Sequence, residues 1–392
     1  MARKLGSFES NEQATKVLKK NFTVIDDVLI YCFIKNSGIA YGWGMNDHGQ
    51  ITGQISKTVP EEIKSFENVT SIIAGDDTSF ITKNEGLFAV GINDNGQLGL
   101  GERIQSIVIT PKKVTMPPIK SLESRQASYA VDTTGRLWSW GYNVSGQLGY
   151  EFEHGRPVFT TNPRIIDSLK DYEIKQVACG NSFACCLTTG GEVFTWGDKD
   201  LIGHGQLVSD VRLPKKLDVE KICQISCGWG NTLLLSSDQK TVWAFGENGF
   251  GELGRGPEIT SSEVPVRVPF LGTKVIRKLQ CGDYCSAALT EDGQIIMWGS
   301  LLGNMDDENT HIPRVIELKQ KVIDISMSGE FMLVLTVENR LYAFGRNRCG
   351  QCGQGTWTDS IEQPVEVKNL ENLRIKQISA GHNHCLIKCT KI

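Results

Sequence analysis

Seven times along this chain an apolar run stops on an aromatic or β-branched residue followed by glycine. The pairs are Trp43-Gly44, Val90-Gly91, Trp140-Gly141, Trp196-Gly197, Phe245-Gly246, Trp298-Gly299 and Phe344-Gly345. Successive glycines lie 47, 50, 56, 49, 53 and 46 residues apart. A recurrence near fifty residues, kept along the chain, means one supersecondary unit used seven times.

The unit reads most clearly in Val177-Ala-Cys-Gly180, Phe183-Ala-Cys-Cys-Leu187 and Gly191-Glu-Val-Phe-Thr-Trp196-Gly197. Short runs of period two, rich in Val, Leu, Phe and Trp and broken by small residues, are strand signals. After five of the pairs comes a turn with Asn three residues before Gly, at Asn46 to Gly49, Asn93 to Gly96, Asn143 to Gly146, Asn248 to Gly251 and Asn347 to Gly350. Gly tolerates positive φ and Asn bonds its own backbone, so both suit a tight turn. A proline follows in every unit: Pro60, Pro111, Pro163, Pro214, Pro265, Pro313 and Pro364. This predicts a fourth strand beginning near the proline, with one edge unpaired. A single four-stranded sheet of this kind cannot cover both its faces, whereas seven stacked radially can. The predicted fold is all-β, a seven-bladed β-propeller of four-stranded antiparallel blades.

The chain ends on half a unit, Gln377 to Ile387, and begins on the complementary half, Gly38 to Gly44 followed by Thr58-Val-Pro60. One blade built from both ends would close the ring and leave no open sheet edge. Val28 to Ile34 also reads as a second strand and competes with the C-terminal one. Residues 1–23 are expected to form a polar lead, helical around Gln13 to Lys20, and residues 24–392 a single propeller domain.

A length of 392 residues alone would suggest two or three domains, but the repeat accounts for nearly all of it. A formal net charge of -4 favours no global attraction to nucleic acid. The longest apolar run, Val28 to Ile34, is too short to span a bilayer, and Met1-Ala-Arg-Lys-Leu-Gly lacks the core of a signal peptide. Twelve cysteines in an unsecreted chain are expected as thiols, so cytosol or nucleus is the expected location.

The string Cys281-Gly-Asp-Tyr-Cys-Ser286-Ala-Ala-Leu-Thr-Glu-Asp-Gly293-Gln-Ile-Ile-Met-Trp298-Gly299 resembles the repeat of the regulator of chromosome condensation family. The resemblance extends over residues 24–389 and implies a seven-bladed propeller. It does not imply one activity, because the family includes an exchange factor for the GTPase Ran, ubiquitin-ligase modules, a plant ultraviolet receptor and a bacterial enzyme inhibitor. In the exchange factor, acidic and histidine side chains on inter-strand turns face the GTPase. By this resemblance Asp47 matches an acidic position and His384 a histidine, whereas Arg125 and Ser182 fall where the exchange factor carries Asp. Tyr284 and Cys285 fall where it carries a histidine pair. An Asp-to-Arg reversal opposes the same partner surface. The wedge after the third pair is missing, since Gly141 to Gly146 has ordinary length; a longer stretch at Asp198 to Gly205 reads as an irregular turn.

Departures from the repeat are the other partner-binding candidates. Phe152, Arg156 and Phe159 lie in a lengthened third loop and are types common at interface hot spots. Asp306 and Asp307 replace the sixth unit's turn. Cys349-Gly-Gln-Cys352 is a lone CxxC, and Cys352 stands where other units have a packing leucine, so no metal is expected. Cys389-Thr-Lys-Ile392 fits a prenylation box poorly because Lys391 is not aliphatic. A single turn tryptophan, Trp229, argues against photoreception. No Ser-His-Asp order, phosphate loop or paired carboxylates appear, and no cofactor is expected. The chain reads as an intracellular propeller that binds a protein through loops on one face. The alternative is a guanine nucleotide exchange factor for a small GTPase, with Asp47 and His384 in its rim.

Overall fold

Phe183–Thr188, Asn231–Ser236, Cys285–Thr290 and Phe331–Thr336 are buried at every position, as strands covered on both faces must be. Each is the second strand of a four-stranded antiparallel sheet, and seven such sheets make up the computed structural model. The structure describes residues 38–53, 55–101, 106–151, 158–207, 209–269, 274–302 and 311–392. The polar lead and Val28 to Ile34 lie outside the described residues. Numbered by their innermost strands, blade 1 starts at Ser71–Ala74, blade 2 at Ile119–Ser124, blade 3 at Ile174–Cys179 and blade 4 at Ile222–Cys227. Blade 5 starts at Ile276–Cys281, blade 6 at Val322–Ser328 and blade 7 at Leu373–Ala380.

Blade 7 closes the ring. Its strand order is Lys57–Glu62, Ile39–Gly44, His384–Lys391, Leu373–Ala380, so each chain end supplies two strands. The join runs in register from Ile39 opposite Cys389 to Gly44 opposite His384. Cys389 is buried within this join, its thiol pointing at the Ile39 carbonyl.

The prolines sit differently from the expectation. Pro60, Pro111, Pro163, Pro214, Pro265 and Pro364 lie inside the outer strands rather than at their start, and only Pro313 precedes its strand, Arg314–Ile316. In those six blades the pairing of the outer strand slips beside the proline. A bulged edge strand has no ladder partner for the missing N–H, so proline costs little there.

The glycine of each pair is demanded by the backbone. Gly197 has φ +111°, and a Cβ there would stand 2.4 Å from the Ser182 carbonyl oxygen. The preceding aromatic locks one blade to the last. Trp140, Trp196, Trp298 and Trp43 each donate their indole N–H to a backbone carbonyl of the previous blade, at Gln97, Gln147, Glu252 and Gln351, over 2.6–2.8 Å.

First strands contact their counterparts in neighbouring blades and surround an axial channel. Gln176, Gln224 and Gln377 each bond both the N–H and the C=O of one residue in the next blade, namely Ile225, Leu279 and Ile72. The channel is a polar cavity of about 390 Å³.

Candidate partner-binding rim

In an antiparallel four-stranded blade, the first-to-second turn and the third-to-fourth loop emerge at the same end. All seven blades therefore deliver these segments to one face of the disc. Nearest the axis are the turn residues Asp76, Arg125, Asn181, Trp229, Asp283, Gly329 and His382. Asp77, Ser182, Tyr284, Glu330 and Asn383 follow them. Farther out, the third-to-fourth loops carry Asp47, His48, Asp94, Asp198, Lys199, Asp200, Glu247, Phe250, Arg346 and Arg348.

Blade 2 breaks the pattern at the centre. Ser128 and Ala184 occupy equivalent places opposite Trp140 and Trp196, but Ser128 pairs back to Ser124 and Ala184 to Cys179. The blade 2 turn is thus one residue shorter. Arg125 takes the place of a turn glycine, its N–H bonding to the Ala127 carbonyl as that of Gly180 bonds to Phe183. Its side chain then crosses the channel mouth. One guanidinium nitrogen lies 2.9 Å from Asp283 of blade 5 and 3.4 Å from Asp76 of blade 1. His382 of blade 7 places Nε2 3.0 Å from the other Asp283 oxygen. Burial opposes ionisation of Asp283, yet Arg125 and His382 outweigh it and hold the carboxyl down to about 2. For Asp76 burial wins over the pull of Arg125, and the carboxyl rises to about 6. The hydrogen bond to Asp283 carries His382 up to about 8, against the cost of its burial.

The rim is acidic. Asp47, Asp76, Asp77, Asp94, Asp198, Asp200, Glu247, Asp283 and Glu330 face Arg125, Lys199, Arg346 and Arg348. Each of those four cations already has a carboxylate: Arg125 as above, Lys199 with Asp200, Arg346 with Glu330 and Arg348 with Asp359. His48 stands 3.5 Å from Asp77, and the rings of Phe250 and Tyr284 lie 4.3 Å apart. The other face of the disc carries both signs in local pairs, such as Lys216 with Glu192, Lys274 with Asp292 and Arg340 with Glu366.

The residues singled out by sequence are scattered. Asp47 is exposed on the rim, accepting a hydrogen bond from Ser56. His384 is not on the rim. It opens the second strand of blade 7, is 0 % exposed, and bonds Ser79 of blade 1 over 2.9 Å. Burial lowers its pKa to about 3, so it is a neutral packing residue between blades. Arg125 is 7 % exposed and engaged internally, so its positive charge neutralises Asp76 and Asp283 rather than meeting a partner. Ser182 is half-buried beside Asp198, and Phe159 opens the outer strand of blade 2 opposite Tyr142. Phe152, Arg156, Asp306 and Asp307 lie outside the described residues. The stretch from Asp198 to Gly205 is an irregular turn as expected, but a shortened one. Ile202 fills the packing position five residues after Gly197, whereas Leu148 fills it seven after Gly141. Cys352 is buried at that same position in blade 6. Among the described residues no three His, Cys, Asp or Glu side chains converge as a metal site, and no helix is long and apolar enough to cross a membrane.

Sequence reasoning missed Asp76, Asp283 and His382 as a group. The signal was present: each immediately follows the turn glycine of its unit, at Gly75, Gly282 and Gly381.

The family model for the RCC1-like domain matches residues 119–387, and that for the regulator of chromosome condensation (RCC1) repeat matches residues 37–82. The chain is 31% identical over 378 residues to the E3 ubiquitin-protein ligase HERC2 of Homo sapiens. That match covers 89% of this chain but 8% of the ligase. It is 26% identical over 408 residues to the mitochondrial RCC1 domain-containing protein RUG3 of Arabidopsis thaliana, covering 88% and 87% of the two chains. Among solved structures, human WBSCR16 superposes with a TM-score of 0.79 at 20% identity, over 91% of this chain and 99% of that one. Prp20p of Saccharomyces cerevisiae, described with its binding to Gsp1p and histones, superposes at 0.77 and 18% identity, over 94% and 96%. At these identities the structural likeness speaks for the fold.

Proposed function

The chain belongs to the RCC1-like domain family, and on that premise we propose that it is a protein-binding propeller whose acidic rim receives a basic surface of its partner. The observation that carries this reading is the surplus of carboxylates among the described residues of one face, where Arg125, Lys199, Arg346 and Arg348 each already have a carboxylate. Complementary charge speeds encounter and rejects partners of like sign. Free thiols at all described cysteines suit a reducing compartment, cytosol or nucleus. The test sets two triple variants side by side in photo-crosslinking from cell extract. One reverses rim charges (Asp47, Asp94 and Glu247 to Lys), the other reverses charges on the opposite face (Lys113, Lys216 and Lys321 to Glu). Loss of crosslinked partners in the first variant alone supports the rim; loss in the second alone refutes it.

A second reading, guanine nucleotide exchange on a small GTPase, is favoured by Asp47, which stands exposed at the acidic position the resemblance singles out. Exchange needs only tighter binding of the nucleotide-free GTPase than of the loaded one. Labelled-nucleotide release from a panel of small GTPases, with Asp47→Ala alongside, tests it. His384→Ala is uninformative there, because the residue is buried.

A further inference from the structure

Trp357 is the most exposed tryptophan among the described residues, with 65% of its surface in water. It sits on the third-to-fourth loop of blade 6. The matching loop of blade 7 carries Ile55, 71% exposed. These loops meet on the same rim. The Gly355 N–H donates to the Thr58 carbonyl over 2.9 Å, and a Cβ on Gly350 would touch Thr58 backbone. Trp357 is two residues from Gly355, and Ser56 two from Thr58; each step spans at most about 7 Å of extended chain. Ser56 in turn donates to the Asp47 carboxylate over 3.2 Å. Trp357, Ile55 and Asp47 therefore lie along the same seam of the rim.

Both loops are held from beneath. Asn347 donates its side-chain N–H groups to the Thr356 carbonyl and the Thr358 hydroxyl, over 3.1 and 2.9 Å. Asn46 does the same to the carbonyls of Thr52 and Ile55, over 2.9 and 3.3 Å. An indole presented on a pinned loop loses little freedom on binding. The surrounding charge selects what it receives. Asp47 has no cation partner among the described residues, and Asp359, two residues past Trp357, is exposed beside Arg348. An acidic segment would meet these carboxylates. A lysine or arginine can lie over the indole face, where the ring attracts a cation, and reach a carboxylate with its charged end.

We propose that the seam between blades 6 and 7 captures a basic segment of a partner protein, one cation stacking on Trp357, another meeting Asp47 and an aliphatic neighbour packing on Ile55. The proposal rests on the reading of the rim as the partner-binding face. The experiment titrates the purified full chain with labelled twelve-residue peptides alternating lysine with leucine, glutamate with leucine, or lysine with serine. Fluorescence anisotropy should show the lysine–leucine peptide binding best. Trp357→Ala and Asp47→Asn should each weaken it at least tenfold. Val337→Ala, which removes an equally exposed apolar side chain from the opposite face, should leave it unchanged. All three positions are exposed, and thermal melts of the variants check their folding. Unchanged affinity in Trp357→Ala, equal binding of the glutamate peptide, or no binding of any peptide overturns the proposal. So does sedimentation showing a dimer that Trp357→Ala dissolves, because the occupant is then a second copy. If Trp357→Ala has no effect while reversing Asp94 and Glu247 still abolishes the crosslinks, the seam fails and the rim reading stands.

Discussion

Two kinds of seam join the blades. At four seams a tryptophan reaches back to a carbonyl of the preceding blade; at the other three the residue is Val90, Phe245 or Phe344. The difference is set by the preceding turn. Each tryptophan faces Gln-Leu-Gly or a close variant, at Gln97, Gln147, Glu252 and Gln351. The third residue of that turn must be glycine, because the indole occupies the space a side chain would take. A Cβ on Gly99 would stand 2.9 Å from Trp140 Nε1. Where the turn departs from this pattern, the aromatic changes with it. Thr52 stands in the glycine place before Val90, and the shortened turn ending in Ile202-Gly203 precedes Phe245. The seam at Val90 is held by polar groups instead: His384 on Ser79, Gln377 on Ile72 and Lys388 on the Thr70 carbonyl. A buried indole N–H needs an acceptor, so tryptophan and its turn are selected together.

Breaking a tryptophan seam should have the largest effect. Gly99→Val adds a clash with the Trp140 ring to a residue at φ +71°. It should cost more than about 3 kcal/mol in denaturant unfolding. Gly205→Ala, at φ +73° but 3.6 Å from its nearest neighbour, should cost only about 1–2 kcal/mol. If the two cost the same, the indole is not what requires the glycine. Trp140→Phe should cost about 1–3 kcal/mol through the lost hydrogen bond to the Gln97 carbonyl, which the Ser128 hydroxyl still serves, and the space the indole vacates. The exchange gives four seams their distinction only if that loss is measured.

The polar seam should respond to pH. Neutral His384 has a folded pKa near 3, below the ordinary 6.5. The unfolded chain binds the extra proton between those values, so stability from this residue falls as pH drops from about 6.5 toward 3. His382 has the opposite sign. Its folded value of about 8 gives stability that is full below 6.5 and lost as pH rises through 8. His384→Phe, which copies Phe183 and Phe331 at the equivalent place, should flatten the acid limb and leave the alkaline limb intact. An unchanged acid limb would contradict the buried neutral ring. The smallest effect is expected for Thr52→Gly, a gain of about 1 kcal/mol from relieving a β-branched residue at φ +75°.

The seven aromatic-glycine pairs were legible because each reports a local demand, a strand that must end on a residue with positive φ. The half-units at the two ends announced the closing blade for the same reason. Positions of the prolines were misjudged because a bulge depends on the neighbouring strand. At the rim, Asp47 was legible as an exposed turn residue. His384 was not, because the strand it begins turns it inward between blades.

By itself the amino-acid sequence determined the number of blades, their four strands and the place where the ring shuts, since these follow from turn chemistry and apolar alternation within about fifty residues. Only the tertiary structure decided what the irregular residues do. Arg125 and Asp283 are 158 positions apart in sequence and meet at 2.9 Å because ring closure turns both toward one axis. A charge that reads as a partner contact along the chain thus becomes an internal counter-ion, since burying it unpaired would cost more than pairing it across the channel.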